Sequence, residues 1–279
     1  MKIINTIKNT KEYLKNIRLQ NLSIGFVPTM GALHEGHLEL IRKAKNENDF
    51  VVCSIFVNPI QFNNREDLEK YPGILENDIS ELEKTGCDLL FSPSVKEMYP
   101  APVKTKYDFG DLEKVMEGKH RPGHFNGVAI VVKKLFEIIK PDKSYFGEKD
   151  YQQLVIIQAL VKKYNIPVEI VPCATVREPD GLAKSSRNKR LTPEERKIAP
   201  VIYQILKEVK NKAGKTPINE LNKWVEQQIN NYKGMKLEYF EIVNKKTLQP
   251  IESWENKDCI VCIALFLGKV RLIDNIILF

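Results

Sequence analysis

The sequence predicts an α/β fold, in which a doubly wound parallel sheet is followed by a smaller α+β domain. Short apolar runs alternate with stretches of helical period through the first two-thirds of the 279 residues, which is the pattern of β-α-β units. This pattern changes at a polar, turn-rich segment near residue 177. A glycine-containing turn directly after an early strand adds a strand–turn–helix arrangement, which α/β proteins use to bind phosphate.

The predicted strands of the first region are short, largely apolar runs, which is consistent with burial on both faces of a parallel sheet. They cover residues 23–27, 50–57, 88–91, 143–146 and 168–173. Helical patterns separate them at residues 37–48, 75–85 and 151–164, and another follows the turn at 123–127 and reaches Ile139. Gly86 is placed to end the helix at residues 75–85, and Pro141 follows the end of the helix that reaches Ile139.

After the polar segment, two amphipathic helices are predicted at residues 193–212 and 217–232. Strands follow at 237–243, 259–267 and 270–278, and the last two flank Gly268-Lys269, a two-residue hairpin turn. We therefore expect a Rossmann-like domain over residues 1–176 and a smaller α+β domain over residues 177–279. In a doubly wound domain the ligand binds at the carboxyl ends of the strands.

Composition narrows the class of protein. Hydrophobic residues make up 43% and charged residues 28% of the chain, as in a globular protein, and the net charge of +7 is spread over dispersed lysines. We expect no nucleic-acid partner, because the densest basic runs, Lys133-Lys134 and Lys245-Lys246, are short. No apolar run reaches membrane-spanning length, so we expect no membrane association.

The five cysteines lie in or beside apolar segments, which indicates buried free thiols and a reducing compartment, the cytoplasm. Cys259 and Cys262 have the spacing of a metal-binding pair. They lie in a predicted strand, however, where residues three apart point to opposite faces, so they are poorly placed to share a metal.

Three polar clusters follow predicted strands or lie at the domain junction: His34 with His37, residues 147–150, and residues 184–187. In a doubly wound fold we expect them to converge on one crevice. Each cluster alone is ordinary, because a histidine pair, a Lys-Asp dipeptide or a Ser-Ser-Arg loop is more often part of a helix start, a cap or a solvated loop. Their joint occurrence favours a nucleotide-phosphate site.

Other sites fit less well. Gly214-Lys215-Thr216 ends like a P-loop, but the earlier glycine position holds Val209 and no strand precedes it. Zinc at His34 and His37 would need further ligands, and His120 and His124 lie in a predicted mobile loop. No serine lies in a G-x-S-x-G elbow, which disfavours a Ser-His-Asp hydrolase.

Five sequence blocks resemble the pantoate–β-alanine ligase family of H-x-G-H nucleotidyltransferase-like α/β proteins. They occur in family order and are PTMGALHEGH (28–37), FVNPIQF (56–62), RPGHFNGV (121–128), YFGEKDYQQ (145–153) and DGLAKSSRN (180–188). The resemblance implies ATP-dependent condensation of (R)-pantoate with β-alanine to pantothenate, AMP and pyrophosphate, through a pantoyl adenylate. It also implies a homodimer and Mg²⁺ with ATP as co-substrate, with no organic cofactor.

The resemblance assigns catalytic roles to His37, His34 and Lys149, with His37 as the acid. The ATP-binding residues that it implies are Met30, Gly31, Ala32, Leu33, His34, Glu35, Gly36, His37, Gly147, Glu148, Lys149, Asp150, Val176, Lys184, Ser185, Ser186 and Arg187. Asp150 would bind the ribose hydroxyls, and residues 185–187 would close over the phosphates from the second domain.

Gln61 and Gln153 match the pantoate-binding glutamines of the family, and Gln61 also its β-alanine site. Neutral amides suit a carboxylate that must remain nucleophilic, since an arginine fork would hold it too firmly. Asp78 resembles a position linked to Mg²⁺, although a lone aspartate near a helix start is most often a cap.

One departure concerns Lys184, where many members of the family have methionine. A lysine there resembles the mobile loop of class I aminoacyl-tRNA synthetases, which leaves the division of work between Lys149 and Lys184 open. Two alternatives therefore remain at the level of sequence: an RNA-binding module descended from such a synthetase, and an adenylyltransferase acting on a phosphorylated substrate.

Overall fold

A computed structural model of the chain contains a six-stranded parallel sheet, as predicted. It describes residues 1–63, 68–69, 74–255 and 257–279. The six strands are, in chain order, β1 (Lys2–Ile4), β2 (Ile24–Thr29), β3 (Phe50–Ile55), β4 (Leu89–Phe91), β5 (Lys143–Gly147) and β6 (Glu169–Cys173). Five of them were predicted to within two residues at each end.

Helices connect and follow these strands. In chain order they are α1 (Ile7–Leu19), α2 (Glu35–Glu47), α3 (Leu75–Lys84), α4 (Val95–Met98), α5 (Met116–His120), α6 (His124–Ile139), α7 (Tyr151–Lys163), α8 (Pro193–Ile198), α9 (Val201–Lys212) and α10 (Ile218–Asn230). Gly86 lies just beyond α3 with a φ of 77°, the left-handed conformation expected of a residue that ends a helix.

The order of the strands in the sheet is β1-β4-β3-β2-β5-β6. From β2 the chain proceeds through β3 and β4 towards one edge, and β5 and β6 lie on the other side, so the order reverses between β2 and β5. These two strands pair only at Gly25 with Lys143 and Phe26 with Ser144. Their carboxyl ends are therefore unpaired with each other, which is the arrangement of a ligand crevice in an open α/β sheet.

The first strand and helix were not predicted. Strand β1 has only three residues, and it lies at an edge of the sheet beside β4. Helix α1 is rich in lysine, and its buried face consists of Thr10, Leu14 and Ile17. So few apolar residues give little periodicity, and packing in the folded chain stabilises this segment more than its own propensity does.

A second sheet is antiparallel and consists of β7 (Met235–Asn244), β8 (Cys259–Leu267) and β9 (Val270–Ile277), in that order. Gly268 and Lys269 form the predicted turn between β8 and β9, and Gly268 has a φ of 57°. The predicted helix at 193–212 is wrong in one respect, because it is broken into α8 and α9. Pro200 has no N–H to continue the hydrogen bonds of α8, and it precedes the first residue of α9.

The chain divides into two compact units. Unit 1 comprises Met1–Phe109, Arg121–Glu148 and Gln153–Ala174, and unit 2 comprises Gly110–His120, Lys149–Gln152 and Thr175–Phe279. Each has its own apolar core: Leu38, Ile41 and Val51 are among the buried residues of unit 1, and Leu206, Val225 and Leu265 are among those of unit 2. The functional division at residues 176 and 177 stays a prediction.

Among the described residues, no helix is long and apolar enough to cross a membrane.

All five cysteines are free and buried, and burial raises the pKa of each thiol. The pKa of Cys173 is raised to about 11 and that of Cys87 to about 12. Since the thiolate is the reactive form, a pKa of about 11 leaves about one thiol in a thousand ionised at pH 8. We expect native protein to react with a disulfide reagent at pH 8 far more slowly than protein unfolded in urea. A thiol that reacts equally fast in both states would contradict the burial of that cysteine.

Candidate active site

The turn between β2 and α2 is held in an unusual backbone conformation. Gly31 and Ala32 both have positive φ, 79° and 52°, which is costly for alanine and requires support from the surroundings. The Asp78 carboxylate provides it, accepting hydrogen bonds from the backbone N–H of Ala32 (2.9 Å) and of Leu33 (2.8 Å). The Thr29 hydroxyl accepts a third from the N–H of Gly31 at 3.1 Å.

The two histidines cap the helix that this turn begins. His34 precedes α2, and its Nδ1 accepts a hydrogen bond from the N–H of Gly36 (3.1 Å). His37 is the third residue of the helix, and its Nδ1 accepts from the N–H of His34 (3.4 Å). This is a reciprocal capping box built from imidazoles instead of hydroxyl and carboxylate groups.

The capping hydrogen bonds determine which ring nitrogen of each histidine carries the proton. A neutral imidazole whose Nδ1 accepts a hydrogen bond carries its proton on Nε2. The hydrogen bonds therefore assign the Nε2–H tautomer to both rings, whose centroids are 4.1 Å apart. Two adjacent N–H donors at the positive end of a helix suit phosphoryl oxygens. The helix begins at Glu35, two residues before the predicted start, because His34 is its cap.

Gln61 lies in a 3₁₀ turn after β3 and is buried in a network of hydrogen bonds. Its Oε1 accepts from Asn58 Nδ2 (2.9 Å), and its Nε2 lies 3.0 Å from the Met30 sulfur. The Tyr99 hydroxyl in turn donates to Asn58 Oδ1 at 2.9 Å. The structure thus brings Gln61 next to Met30 at the start of the β2–α2 turn, 31 residues earlier in the sequence.

Helix α6 packs against the 3₁₀ turn that carries Gln61. His124 is its first residue, is buried, and has Nδ1 2.9 Å from the carbonyl oxygen of Gln61. A side chain at Gly127 would lie 2.5 Å from the carbonyl oxygen of Ile60, so only glycine allows this approach. The prediction that His124 belongs to a mobile loop is therefore wrong: Gly123, with a φ of 81°, starts the helix one residue earlier.

Residues 147–150 comprise the last residue of β5 and the 3₁₀ turn Glu148–Asp150 that follows it. Gly147 and Glu148 belong to unit 1, and Lys149 and Asp150 to unit 2. Lys149 is largely buried, and its Nζ lies 3.9 Å from Asp150 Oδ2. Its backbone carbonyl accepts a hydrogen bond from Asn275 Nδ2 at 2.9 Å.

The two neighbouring glutamines of α7 differ in their surroundings. Gln152 is buried and fully used by backbone groups: its Oε1 accepts from the N–H of Glu117, and its Nε2 donates to the carbonyls of Leu112 and Val115. Gln153 is only half-buried. Gln152 therefore stabilises the fold of unit 2, and Gln153 is the better candidate for a ligand contact.

In unit 2, residues 176–184 form a tight hairpin that leads into the Lys-Ser-Ser-Arg segment. The N–H of Lys184 donates to the carbonyl of Val176 (2.9 Å), and Lys184 Nζ pairs with Glu178 at 3.2 Å. Ser185 caps the 3₁₀ turn Ser186–Arg190, since its Oγ accepts the N–H of Arg187. The hairpin thus places Lys184, Ser185, Ser186 and Arg187 together at the start of one turn.

Among the described residues, no three histidine, cysteine, aspartate or glutamate side chains are grouped as a metal site. The Asp78 carboxylate already accepts two N–H groups, so it has one further lone pair on each oxygen to offer. Mg²⁺ is commonly held by one or two carboxylates together with phosphate oxygens and water. Asp78 fits such a supporting role and does not form a protein cage for the ion.

The sequence is similar to a known protein family over almost its whole length. The family profile described as pantoate-beta-alanine ligase matches residues 2–277. A pantothenate synthetase from Porphyromonas gingivalis is 50% identical over 278 residues, covering 99% of both chains. One from Caldicellulosiruptor saccharolyticus is 49% identical over 279 residues, again covering 99% of each.

Solved structures of similar proteins have the same fold as this chain. The crystal structure of a pantothenate synthetase from Thermus thermophilus has a TM-score of 0.93 and 43% identity, with all of both chains covered. A pantoate-beta-alanine ligase from Francisella tularensis, complexed with beta-gamma ATP and beta-alanine, has a TM-score of 0.84 and 42% identity. That match covers 99% of this chain and 97% of the other.

We expect Asp78→Ala to destabilise the protein, because it leaves two N–H groups of the turn without an acceptor. The expected loss in free energy of unfolding is about 2–4 kcal/mol, measured by urea denaturation. Asp49→Ala is the matched control: its carboxylate also accepts a backbone N–H, from Ser23 at 2.9 Å, but on the surface. A loss for Asp78→Ala no larger than that of the control would show that the carboxylate does not support the turn.

Proposed function

This chain belongs to the pantoate–β-alanine ligase family, and we propose how its residues carry out the reaction of that family. The reaction is the ATP-dependent condensation of (R)-pantoate with β-alanine, which gives pantothenate, AMP and pyrophosphate. The chain is an AMP-forming ligase of pantothenate biosynthesis, and ATP and β-alanine are its substrates together with pantoate. The observation that carries the proposal is the imidazole capping box at the β2–α2 turn.

We propose two chemical steps. A carboxylate oxygen of pantoate attacks the α-phosphorus of ATP, the bond from that phosphorus to the bridging oxygen breaks, and pyrophosphate leaves with the electron pair. The β-alanine amine then attacks the acyl carbon of pantoyl adenylate, loses a proton, and displaces AMP. The first step builds negative charge on phosphoryl oxygens, so catalysis depends on positioned donors and cations.

His34 and His37 are the proposed donors to phosphate, through their Nε2–H groups. His37 is also the proposed acid for the leaving group. Backbone groups of Met30, Gly31, Ala32, Leu33, Glu35 and Gly36 are proposed to complete the ATP contacts of this turn. The Glu35 side chain pairs with Arg42 on α2, so its main chain is the part available to ATP.

Further ATP contacts are proposed for the loop after β5 and for the hairpin of unit 2. Lys149 supplies a point charge to phosphate, Asp150 binds the ribose hydroxyls, and Gly147, Glu148 and Val176 line the nucleotide. Ser185, Ser186 and Arg187 bind phosphate through hydroxyl and guanidinium groups. Lys184 is a weaker candidate than Lys149, because its ammonium already pairs with Glu178 at 3.2 Å.

Gln61 and Gln153 are the proposed pantoate ligands, and Gln61 also the β-alanine ligand. Its contacts with Asn58 and Met30 hold the Gln61 amide in place before substrate arrives, which lowers the entropy lost on binding. Mg²⁺ is proposed to enter with ATP and to neutralise phosphate charge. Asp78 is the candidate to support it.

We further propose a cytoplasmic homodimer. The five buried free thiols support a reducing compartment, and the family resemblance supports the dimer. Residues 1–176 are proposed as the domain that binds ATP and pantoate, and residues 177–279 as the smaller lid domain that supplies the Lys-Ser-Ser-Arg segment. Sedimentation equilibrium over a range of concentrations tests the dimer, and a mass equal to one chain at every concentration would exclude it.

The reaction predicts exchange of labelled pyrophosphate into ATP that requires pantoate and does not require β-alanine. Adding β-alanine should then yield AMP and pantothenate in equal amounts, measured by chromatography. Exchange that proceeds equally well without pantoate would refute the proposed first step. Transfer of AMP to a phosphorylated compound, with no amide formed, would instead favour an adenylyltransferase.

His37→Gln separates capping from catalysis. Glutamine is a standard residue at the third position of a capping box, so the melting temperature should stay close to that of the wild type. Loss of the imidazole should lower kcat about 100-fold or more, as removal of one transition-state donor does, with a smaller change in the KM for ATP. A raised KM with kcat intact would reassign His37 to ground-state binding of ATP.

A further inference from the structure

Strand β9 carries two neighbouring buried polar residues, Asp274 and Asn275. They are only 4% and 7% exposed, in a strand whose other buried residues are apolar. Successive residues of a strand point to opposite faces, so the pair serves two different sides of β9. A buried polar side chain is costly unless it is hydrogen-bonded, and both of these side chains bind segments that carry a proposed ATP-binding lysine.

Asn275 binds the main chain of Lys149. Its Nδ2 donates to the carbonyl oxygen of Lys149 at 2.9 Å, although the two residues are 126 apart in sequence. Lys149 is the central residue of the 3₁₀ turn Glu148–Asp150. The bond therefore fixes the point from which the lysine side chain extends.

Asp274 binds Arg177 at the base of the hairpin. Its two carboxylate oxygens accept from Arg177 Nη1 (2.7 Å) and Nη2 (2.9 Å), a bidentate pair. The same guanidinium donates to the carbonyls of Gly181 (3.1 Å) and Asn275 (3.2 Å), and it stacks 3.7 Å from the centre of the Tyr203 ring.

The backbone of the hairpin connects Arg177 to Lys184. Arg177 pairs with Ala183 in an antiparallel bridge, and the next pair is closed by the N–H of Lys184 and the carbonyl of Val176. At the tip of the hairpin the backbone of Gly181 packs closely against the Tyr203 ring, since a side chain there would lie 2.5 Å from it. The Arg177–Asp274 pair thus supports the backbone from which the Lys184 side chain extends.

We propose that Asp274 and Asn275 are positioning residues that hold the Lys149 and Lys184 segments at a fixed spacing for adenylyl transfer. This inference rests on the proposed function, since it assigns both lysines to ATP. Asn275 acts through Lys149, and Asp274 acts through Arg177 and Lys184. A rigid common support matters because a misplacement of about 1 Å in a catalytic group can cost about 100-fold in rate.

The test is a double-mutant cycle on pantoate-dependent ATP–pyrophosphate exchange. We expect Asn275→Ala to lower kcat about tenfold or more in the wild-type background, with less than about a threefold change in the KM for ATP. In the Lys149→Ala background the same substitution should change kcat less than about twofold, because the lysine side chain that Asn275 positions through the main chain is gone. Aminolysis of preformed pantoyl adenylate by β-alanine, measured in a single turnover, should be affected less than exchange.

Arg177→Lys provides the second arm, since lysine keeps the charge and loses the bidentate geometry. It should lower kcat in the wild-type background and have little further effect in the Lys184→Ala background. Tyr239→Phe is the control, because it also removes one buried hydrogen bond of unit 2, from its hydroxyl to Glu117 at 2.9 Å. The control should leave kcat within about twofold of the wild type in both backgrounds.

The inference would be overturned if Asn275→Ala lowered kcat by the same factor in the Lys149→Ala background as in the wild type, or by no more than Tyr239→Phe does. Pantoate-dependent exchange by the wild type would then still support the ligase. Wild-type exchange that needs no pantoate would overturn the proposed function and the inference together. Melting temperatures of all variants, measured in parallel, identify a variant that fails to fold. If Asn275→Ala fails to fold, Asn275→Ser, which is smaller and polar, replaces it in the same cycle.

Discussion

The hydrogen bonds from Ala32 and Leu33 to the Asp78 carboxylate hold the turn on which the rest of the candidate site depends. They allow the backbone to turn sharply after β2, and so place His34 where it can cap α2. Because each histidine uses Nδ1 for capping, each presents an Nε2–H. One buried carboxylate thereby determines both the path of the chain and the tautomer of the two rings.

The second constraint is the limited pairing of β2 with β5. These strands pair at two positions near their amino ends only, so the sheet opens where the β2–α2 turn and the residues after β5 begin. A fully paired strand would close this edge with backbone hydrogen bonds. In unit 2, side chains of strand β9 hold two irregular segments. Asn275 binds the turn that carries Lys149, and Asp274 binds the hairpin that leads to Lys184.

Much of the fold could be predicted because its signals are local. Five of the six parallel strands, the hairpin at Gly268 and the end of α3 at Gly86 follow from apolar runs and glycine positions. The errors are local as well. Pro200 broke a helix that the apolar period alone would continue, and Gly123 started α6 before His124, which had looked like part of a loop.

The sequence by itself determined the order of most elements, the strand–turn–helix motif after β2 and the family, because periodicity, glycine and proline positions and motif blocks are properties of short segments. Only the tertiary structure decided which partners hold the functional residues. Gln61 is fixed by Asn58, Met30 and His124, Ala32 by Asp78, and Lys149 by Asn275. All but the Gln61–Asn58 contact join residues far apart in sequence, and they form only when packing of the strands and helices brings buried polar groups within hydrogen-bond distance.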